Sequence, residues 1–249
     1  MTVITQKFTM ERDNFAGYLC YPKRAHRGPA ILIIHHNHGL TDELKWEAFE
    51  YAEMVFTVFI PNMYQLIGIL APILPGQGQD IQKVRTDPEF LAAIEKGWNF
   101  LLARPDVDTK RIGVLSFCMG ARLGVHFVAA HPQVRAFAAY YPSIKEEPET
   151  TVRPVHALKP VSKIKSPTLI VFGGKDNVSL IDMQFKIWQA MLASGVPFEW
   201  HFYSEGLHGL GEPASEGHQP ELARRIRPIT VGFFMRELEA ESGAIHAVA

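Results

Sequence analysis

Apolar residues recur along the chain in short runs bounded by glycine, proline or polar residues. The run Ala30–Ile34 is continuously apolar, which is typical of a strand buried on both faces. Residues 4–9 and 15–21 are alternating or β-branched and predict an opening hairpin, joined by a polar turn around 11–14. Further strand-like runs cover residues 55–60, 112–117, 136–141, 168–172 and 198–203.

Longer stretches of helical character separate these strands. They cover residues 43–54, 88–103, 119–130, 180–192 and 220–238. Alternation of strands and helices predicts an α/β fold with a mostly parallel central sheet and helices on both faces. Because such sheets bind their ligands at the carboxyl ends of the strands, the loops that follow the strands are where chemistry is expected.

The chain is expected to form one domain over residues 1–249. Residues 143–165 resemble a linker, but strand-like sequence resumes directly after them and needs the same sheet. The apolar run 66–75 is interrupted by two prolines and is far shorter than the ~20 residues that cross a bilayer. We therefore interpret 66–80 as a lid or loop insertion and 239–249 as a frayed tail.

Composition narrows the function classes. Lys and Arg total 25 against 26 Asp and Glu, a net charge of -1, which disfavours partners such as nucleic acid or an anionic membrane. The N-terminus has no secretory signal, so a cytoplasmic location is expected. Two cysteines give neither a disulfide framework nor a zinc motif, and each thiol is assessed alone. The sequence carries no signal for an oligomeric state.

The strongest local signal surrounds Cys118. The apolar strand 112–117 runs directly into it, and small residues and a helical pattern follow. A sharp strand-to-helix turn needs small residues two places before and two places after its centre, and Ser116 and Gly120 meet that need. Such a turn sets Cys118 at a helix N-terminus, which favours the nucleophilic thiolate. The alternative is a cysteine that only fills the core.

Two downstream loops offer partners for this thiol. Asp176 follows the strand 168–172, and His208 follows the strand 198–203. The order Cys, Asp, His on successive strand-end loops is that of the α/β-hydrolases, with cysteine in place of serine. His208 would take the thiol proton and later activate water, while Asp176 would orient the imidazole. Taken alone, each residue has a simpler alternative role: Asp176 as a residue that caps its loop, and His208 as a surface histidine.

A histidine loop, residues 35–39, follows the buried strand 30–34. Metal binding is disfavoured there, because adjacent histidines diverge and we find no carboxylate or thiol at the usual ligand spacing. We predict instead an oxyanion hole made of the backbone N–H groups of Asn37 and Met119. The Asn37 side chain has the alternative role of shaping the turn.

Together the Cys118 turn, Gly174-Lys175-Asp176, Gly206-Leu207-His208-Gly209, the histidine loop and Ile60–Tyr64 resemble the dienelactone hydrolase (carboxymethylenebutenolidase) family over residues 17–234. The resemblance implies an α/β-hydrolase fold and hydrolysis of small lactones and esters through an acyl-thioenzyme, without a cofactor.

Two positions depart from that family. His36 stands where members usually carry a glutamate that regulates the thiol, and we predict that His36 lies beside the Cys118 sulfur and tunes its protonation. Glu212 follows His208 where a carboxylate-binding arginine is usual, and Arg85 is better explained as part of a solvated helix face. The apolar 66–75 segment suits a hydrophobic, less charged ester. Alternatives are a promiscuous phosphotriester hydrolase, a non-catalytic binding module and a thiol redox protein.

Overall fold

The computed structural model describes residues 2–74 and 76–239. Eight strands form one sheet. They are β1 Val3–Phe8, β2 Gly17–Pro22, β3 Gly28–Ile34, β4 Thr57–Pro61, β5 Val107–Phe117, β6 Ala136–Tyr140, β7 Thr168–Gly173 and β8 Phe198–Tyr203. Their order across the sheet is β1-β2-β4-β3-β5-β6-β7-β8. The pairs β1/β2 and β2/β4 are antiparallel, and every pair from β4 to β8 is parallel.

The helices are α1 Met10–Asp13, α2 Asp42–Met54, α3 Met63–Leu66, α4 Gln77–Val84, α5 Asp87–Leu102, α6 Met119–Ala130, α7 Ile181–Ser194 and α8 Pro220–Glu239, with a short 3₁₀ helix at Val161–Lys163. They cover both faces of the sheet. A Cβ built on Gly113 of β5 would lie 2.8 Å from the Phe234 ring of α8. Ser116, which faces the opposite side of β5, lies against Gly124 of α6.

Burial explains the apolar patterns. All seven residues of β3 are buried, as is every residue of β4, β6 and β7. Central parallel strands covered by helices on both faces need such continuous apolar runs. The fold class predicted from the sequence is therefore confirmed.

Two segments contain more helix than the sequence analysis predicts. The turn around 11–14 is formed by α1, whose end at Asn14 adopts a left-handed conformation with φ of 48°. The segment 66–80 is not wholly a loop, because α4 begins at Gln77. Residues 240–249, most of the predicted tail, lie outside the described residues, whereas 239 still belongs to α8. Over residues 2–74 and 76–239, no helix combines the length and apolar character needed to span a membrane.

Candidate active site

Cys118 occupies a strained turn between β5 and α6. Its φ of 50° and ψ of -114° are unusual for a residue with a side chain. Its N–H donates to the Tyr140 carbonyl at 3.0 Å, and its carbonyl accepts from Arg122 and Ser143, both at 3.1 Å. The neighbouring strand β6 and the following helix thus fix the backbone that carries the thiol.

Close packing around the turn explains its small residues. A Cβ at Gly120 would lie 2.3 Å from the Ile34 carbonyl oxygen and 2.4 Å from that of His35. Helix α6 can therefore begin against the end of β3 only with glycine at this position. The buried Arg122 ties α6 to α5. Its two guanidinium nitrogens donate to the Asp87 carboxylate at 2.5 and 2.9 Å.

The structure brings Cys118, His208 and Asp176 together. His208 Nε2 lies 3.0 Å from Cys118 Sγ, and His208 Nδ1 lies 2.9 Å from Asp176 Oδ2. The other carboxylate oxygen of Asp176 accepts the N–H groups of Val178 and Ser179, each at 2.8 Å. The carboxylate is thus fixed by its own loop while it orients the imidazole.

Opposing effects set the pKa of His208. Burial lowers the pKa, whereas the hydrogen bonds to Asp176 and Cys118 raise it to about 10. At neutral pH the geometry therefore favours an imidazolium between a carboxylate and the sulfur. This arrangement holds a proton ready for a leaving group.

Glycines allow the Asp176 and His208 loops to approach each other. A Cβ at Gly173 would lie 2.2 Å from the Gly206 carbonyl oxygen. The Lys175 N–H also donates to that oxygen at 2.9 Å. These contacts bring the loop after β7 close enough for Asp176 to reach His208.

The three histidines after β3 have different surroundings. His35 Nε2 accepts the Met63 N–H at 3.1 Å, so its Nδ1 carries the proton that is donated to the His36 carbonyl at 2.7 Å. Burial lowers the pKa of His35 to about 4. Neutral His35 therefore stabilises the loop through these two hydrogen bonds. His38 is half-buried and lines the cleft described below.

The loop that carries Asn37 is anchored at its carbonyl. Tyr64 donates its hydroxyl to the Asn37 carbonyl at 2.7 Å, and Gly78 of α4 packs against the same carbonyl. Among the hydrogen bonds of residues 2–74 and 76–239, none has the Asn37 or Met119 N–H as its donor. Neither N–H is therefore engaged within the described part of the protein. Tyr64 is a supporting residue that the sequence analysis included only as part of a motif.

His36 contacts Glu212, and both side chains are buried. The Nδ1 of His36 accepts the His38 N–H at 3.0 Å, so its Nε2 carries the proton and donates to the Glu212 carboxyl group. Burial raises the pKa of Glu212, and negative charge on Cys118 raises it further. The sequence analysis treated Glu212 only as a missing arginine; its place four residues after His208 was the available signal.

One group of possible metal ligands exists among the described residues. Ligand atoms of His36, His38 and Glu212 lie within 4.8 Å of one another. The fold thus brings a carboxylate next to the histidine loop, although Glu212 is distant from that loop in sequence. A metal needs a free lone pair on the ligating nitrogen. Because the Nε2 of neutral His36 carries a proton, this group fits a hydrogen-bonded pair better than a metal site.

A cleft of about 750 Å³ opens beside His208 and Asn37. Residues from the loop after His208 form one wall, including Ser215 and Glu216. Ile73 and Leu74 of the 66–80 segment contribute to the opposite side. The cleft is the space from which a substrate would reach the Cys118–His208 pair.

A family comparison covers most of the chain. The model of the Dienelactone hydrolase family matches residues 15–238. The chain belongs to the dienelactone hydrolase family. Membership confirms the family resemblance and the prediction that this chain is an enzyme, a hydrolase.

Curated relatives of this dienelactone hydrolase family member are distant but similar over most of their length. A putative carboxymethylenebutenolidase of Methylorubrum extorquens is 23% identical over 226 residues, which cover 85% of this chain and 76% of that protein. A carboxymethylenebutenolidase of Rhodococcus opacus is 26% identical over 219 residues, covering 86% and 84%.

Solved structures share the fold. A putative dienelactone hydrolase from Klebsiella pneumoniae superposes with a TM-score of 0.84 at 20% identity, covering 95% of this chain and all of that one. A dienelactone hydrolase-like promiscuous phosphotriesterase from metagenomic libraries gives 0.75 at 15% identity, covering 95% and 98%. At these identities the likeness establishes the α/β-hydrolase fold.

Proposed function

We propose that this protein hydrolyses small lactones or carboxylic esters, including aryl esters, through an acyl-thioenzyme on Cys118, with no cofactor. The observation that carries the proposal is the continuous chain of contacts from Cys118 Sγ through His208 to Asp176. Each residue in it follows the carboxyl end of a parallel strand, as nucleophile, base and acid do in α/β-hydrolases. Membership of the dienelactone hydrolase family supports the substrate class.

Acylation begins when the Cys118 thiolate attacks the substrate carbonyl carbon. The carbonyl oxygen becomes an oxyanion, which accepts hydrogen bonds from the N–H groups of Asn37 and Met119. When the tetrahedral intermediate collapses, the C–O bond to the leaving oxygen breaks and the His208 imidazolium protonates that oxygen. In a lactone the released hydroxyl stays attached to the acyl group.

Deacylation reverses the roles with water. Neutral His208 accepts a proton from water, whose oxygen attacks the thioester carbonyl in the same oxyanion hole. Collapse breaks the C–S bond, releases the carboxylic acid and restores the thiolate beside the imidazolium. Asp176 keeps the imidazole in the required tautomer throughout both halves of the reaction.

His36 is proposed to tune the thiol through Glu212 rather than by touching the sulfur. It donates a hydrogen bond to the Glu212 carboxyl, and the charge of that carboxyl is coupled to the charge on Cys118. The imidazole thereby determines how readily a negative charge is accepted on Glu212. His36 is a positioning residue in this account.

A second candidate activity is hydrolysis of phosphotriesters by the same residues. The similarity to a promiscuous phosphotriesterase of this fold favours it. Sulfur would attack phosphorus, the P–O bond to one ester group would break, and the His208 imidazolium would protonate the departing oxygen, while the phosphoryl oxygen accepts hydrogen bonds from the same two N–H groups. Turnover then requires water to cleave the phosphorylated thiol, a step harder than thioester hydrolysis.

A substrate panel tests the proposal. Purified protein is assayed with a five-membered lactone, a p-nitrophenyl ester and a dialkyl p-nitrophenyl phosphate. Lactone or ester turnover that continues beyond one equivalent of enzyme is expected. Turnover of the phosphate alone would favour the second activity, and no turnover of any of the three by folded protein would contradict both.

A further inference from the structure

The residues that line the cleft carry little charge. Among the described residues that line it, Glu216 is the one with a full formal charge outside the Cys118–His208–Asp176 group, and it is exposed to solvent. Burial lowers the pKa of His38, although Glu216 acts in the opposite direction. The described walls therefore present no permanent cation to a bound substrate.

The inner residues do not supply a positive charge either. The imidazolium of His208 lies between the Asp176 carboxylate and the Cys118 sulfur, which compensate it. His36 is neutral, because its Nδ1 accepts the His38 N–H, and its buried partner Glu212 is an acid, so this pair offers no positive charge. A carboxylate on the substrate would find no unpaired partner in this part of the site.

Three cations on the surrounding elements are already paired. Lys45 of α2 lies 2.6 Å from the carboxylate of its neighbour Asp42. Lys175, next to Asp176, contacts Glu205, and Arg227 of α8 contacts Glu50. Recruiting any of them to a substrate would break an existing ion pair.

We propose that the cleft selects esters and lactones whose acyl part is uncharged or cationic, and that Glu216 is a specificity-determining residue that rejects a carboxylate. The inference rests on the proposed ester hydrolysis. Moving a carboxylate from water into the cleft removes hydration without providing an ion pair. The Glu216 charge adds repulsion, moderated by solvent because the side chain is exposed.

Three p-nitrophenyl esters of equal chain length test the proposal. Their acyl groups are hexanoyl, 5-carboxypentanoyl and 6-trimethylammoniohexanoyl. The anionic and cationic esters are similarly polar, so the ratio of their kcat/KM values reports charge rather than hydrophobicity. Wild-type protein should favour the cationic ester over the anionic one by about tenfold or more, because a carboxylate at this rim is both unpaired and repelled.

Variants assign the effect to a residue. Glu216→Gln should reduce that ratio about two- to fivefold, and Glu216→Lys should reduce it further, toward or past unity. Glu11→Gln, an exposed change on α1, should leave the ratio unaltered. In 1 M NaCl the wild-type ratio should also decrease.

The outcomes separate the two proposals. Efficient hydrolysis of the anionic ester relative to the cationic one, or a ratio unchanged in Glu216→Lys, would overturn the charge selection while leaving ester hydrolysis intact. Failure of the wild type to hydrolyse any of the three esters would contradict the proposed function itself.

Discussion

Cys20 and Cys118 are the same residue in two very different surroundings. Cys20 lies within β2, fully buried among core residues, in a regular antiparallel strand. Burial raises its pKa to about 12, although a hydrogen bond from Tyr18 acts in the opposite direction. A thiol held in its neutral form and shielded from solvent is a core side chain.

Cys118 differs from it in backbone, contacts and access. It sits at a strained φ of 50°, is partly exposed, and lies 3.0 Å from the imidazole of His208. In the proposed mechanism it is the strand-to-helix turn, rather than the residue type, that prepares a cysteine for chemistry. The predictions that follow test this contrast, from the largest expected effect to the smallest.

Removing one thiol should abolish activity, whereas removing the other should leave it intact. Cys118→Ala should fold normally and lose about 10⁴-fold or more in ester turnover, because no nucleophile remains. Cys118→Ser should retain a reduced activity. Cys20→Ala is the control: it should keep turnover and lose only some stability. Full turnover in Cys118→Ala, measured with a p-nitrophenyl ester, would remove the nucleophile assignment.

His208 and Asp176 should act as one unit with Cys118. His208→Ala should lose nearly as much turnover as Cys118→Ala, since the base and the proton donor are both removed. Adding Asp176→Ala to it should cost little more, because an orienting carboxylate has nothing left to orient. The double-mutant cycle is measured by kcat. Losses that multiply would argue for independent roles.

The turn itself can be disturbed without touching the thiol. Gly120→Ala should reduce turnover about 100-fold and destabilise the fold by about 1–3 kcal/mol, because its Cβ would overlap the carbonyls that end β3. Gly232→Ala, where nothing lies within 4 Å, is the matched control and should stabilise α8 by about 0.5–1 kcal/mol. Wild-type kinetics in Gly120→Ala would contradict the packing argument.

Cys118 has an imidazole partner, His208, which Cys20 lacks. The coupling of His208 to Asp176 should be visible in a pH titration of His208. With its pKa near 10, against an ordinary 6.5, His208 should stay protonated through neutral pH. Its contribution to stability should be complete below about pH 6.5 and disappear as the pH rises through about 10. In Asp176→Asn the pKa should fall, whereas in Asp182→Asn it should not. ¹⁵N NMR of labelled histidines measures the His208 pKa in both variants. The same His208 titration in Asp176→Asn as in Asp182→Asn would refute the coupling.

The smallest effect is expected from His36. In His36→Gln the Glu212 carboxylate loses the imidazole N–H that favours its charge, so less negative charge opposes the Cys118 thiolate and the pH midpoint for alkylation by iodoacetamide should fall by about half a unit. Chelator treatment of the wild type should leave turnover unchanged. An unaltered midpoint in His36→Gln would exclude tuning. Inactivation by chelator that zinc reverses would instead support the metal site that we disfavour.

Much of the fold could be predicted because its signals are local. The apolar run 30–34 lies within β3, and the run 112–117 is the buried half of β5, where alternation is lost because both faces are covered. The boundaries of β8, 198–203, were predicted without error. The turn at Cys118 was recognisable from Ser116 and Gly120, since steric crowding restricts those positions.

Other features depend on contacts between distant segments. α4 begins with Gln77-Gly78-Gln79, which has little helical signal. Gly78 packs against the Asn37 carbonyl, where a Cβ would not fit. Glu212 and His36 are far apart in sequence and meet only when the loops after β3 and β8 converge. Spacing along the chain carries no information about such pairs, so the carboxylate near the histidine loop was missed.

Locating the acyl group tests the contrast between the two cysteines most directly. The enzyme is mixed with a slowly hydrolysed p-nitrophenyl ester, quenched in acid during turnover, digested and mapped by mass spectrometry. The acyl mass should appear on the peptide that contains Cys118, disappear in Cys118→Ala, and be absent from the Cys20 peptide. Turnover with the acyl group on Cys20 or on a serine would contradict the account.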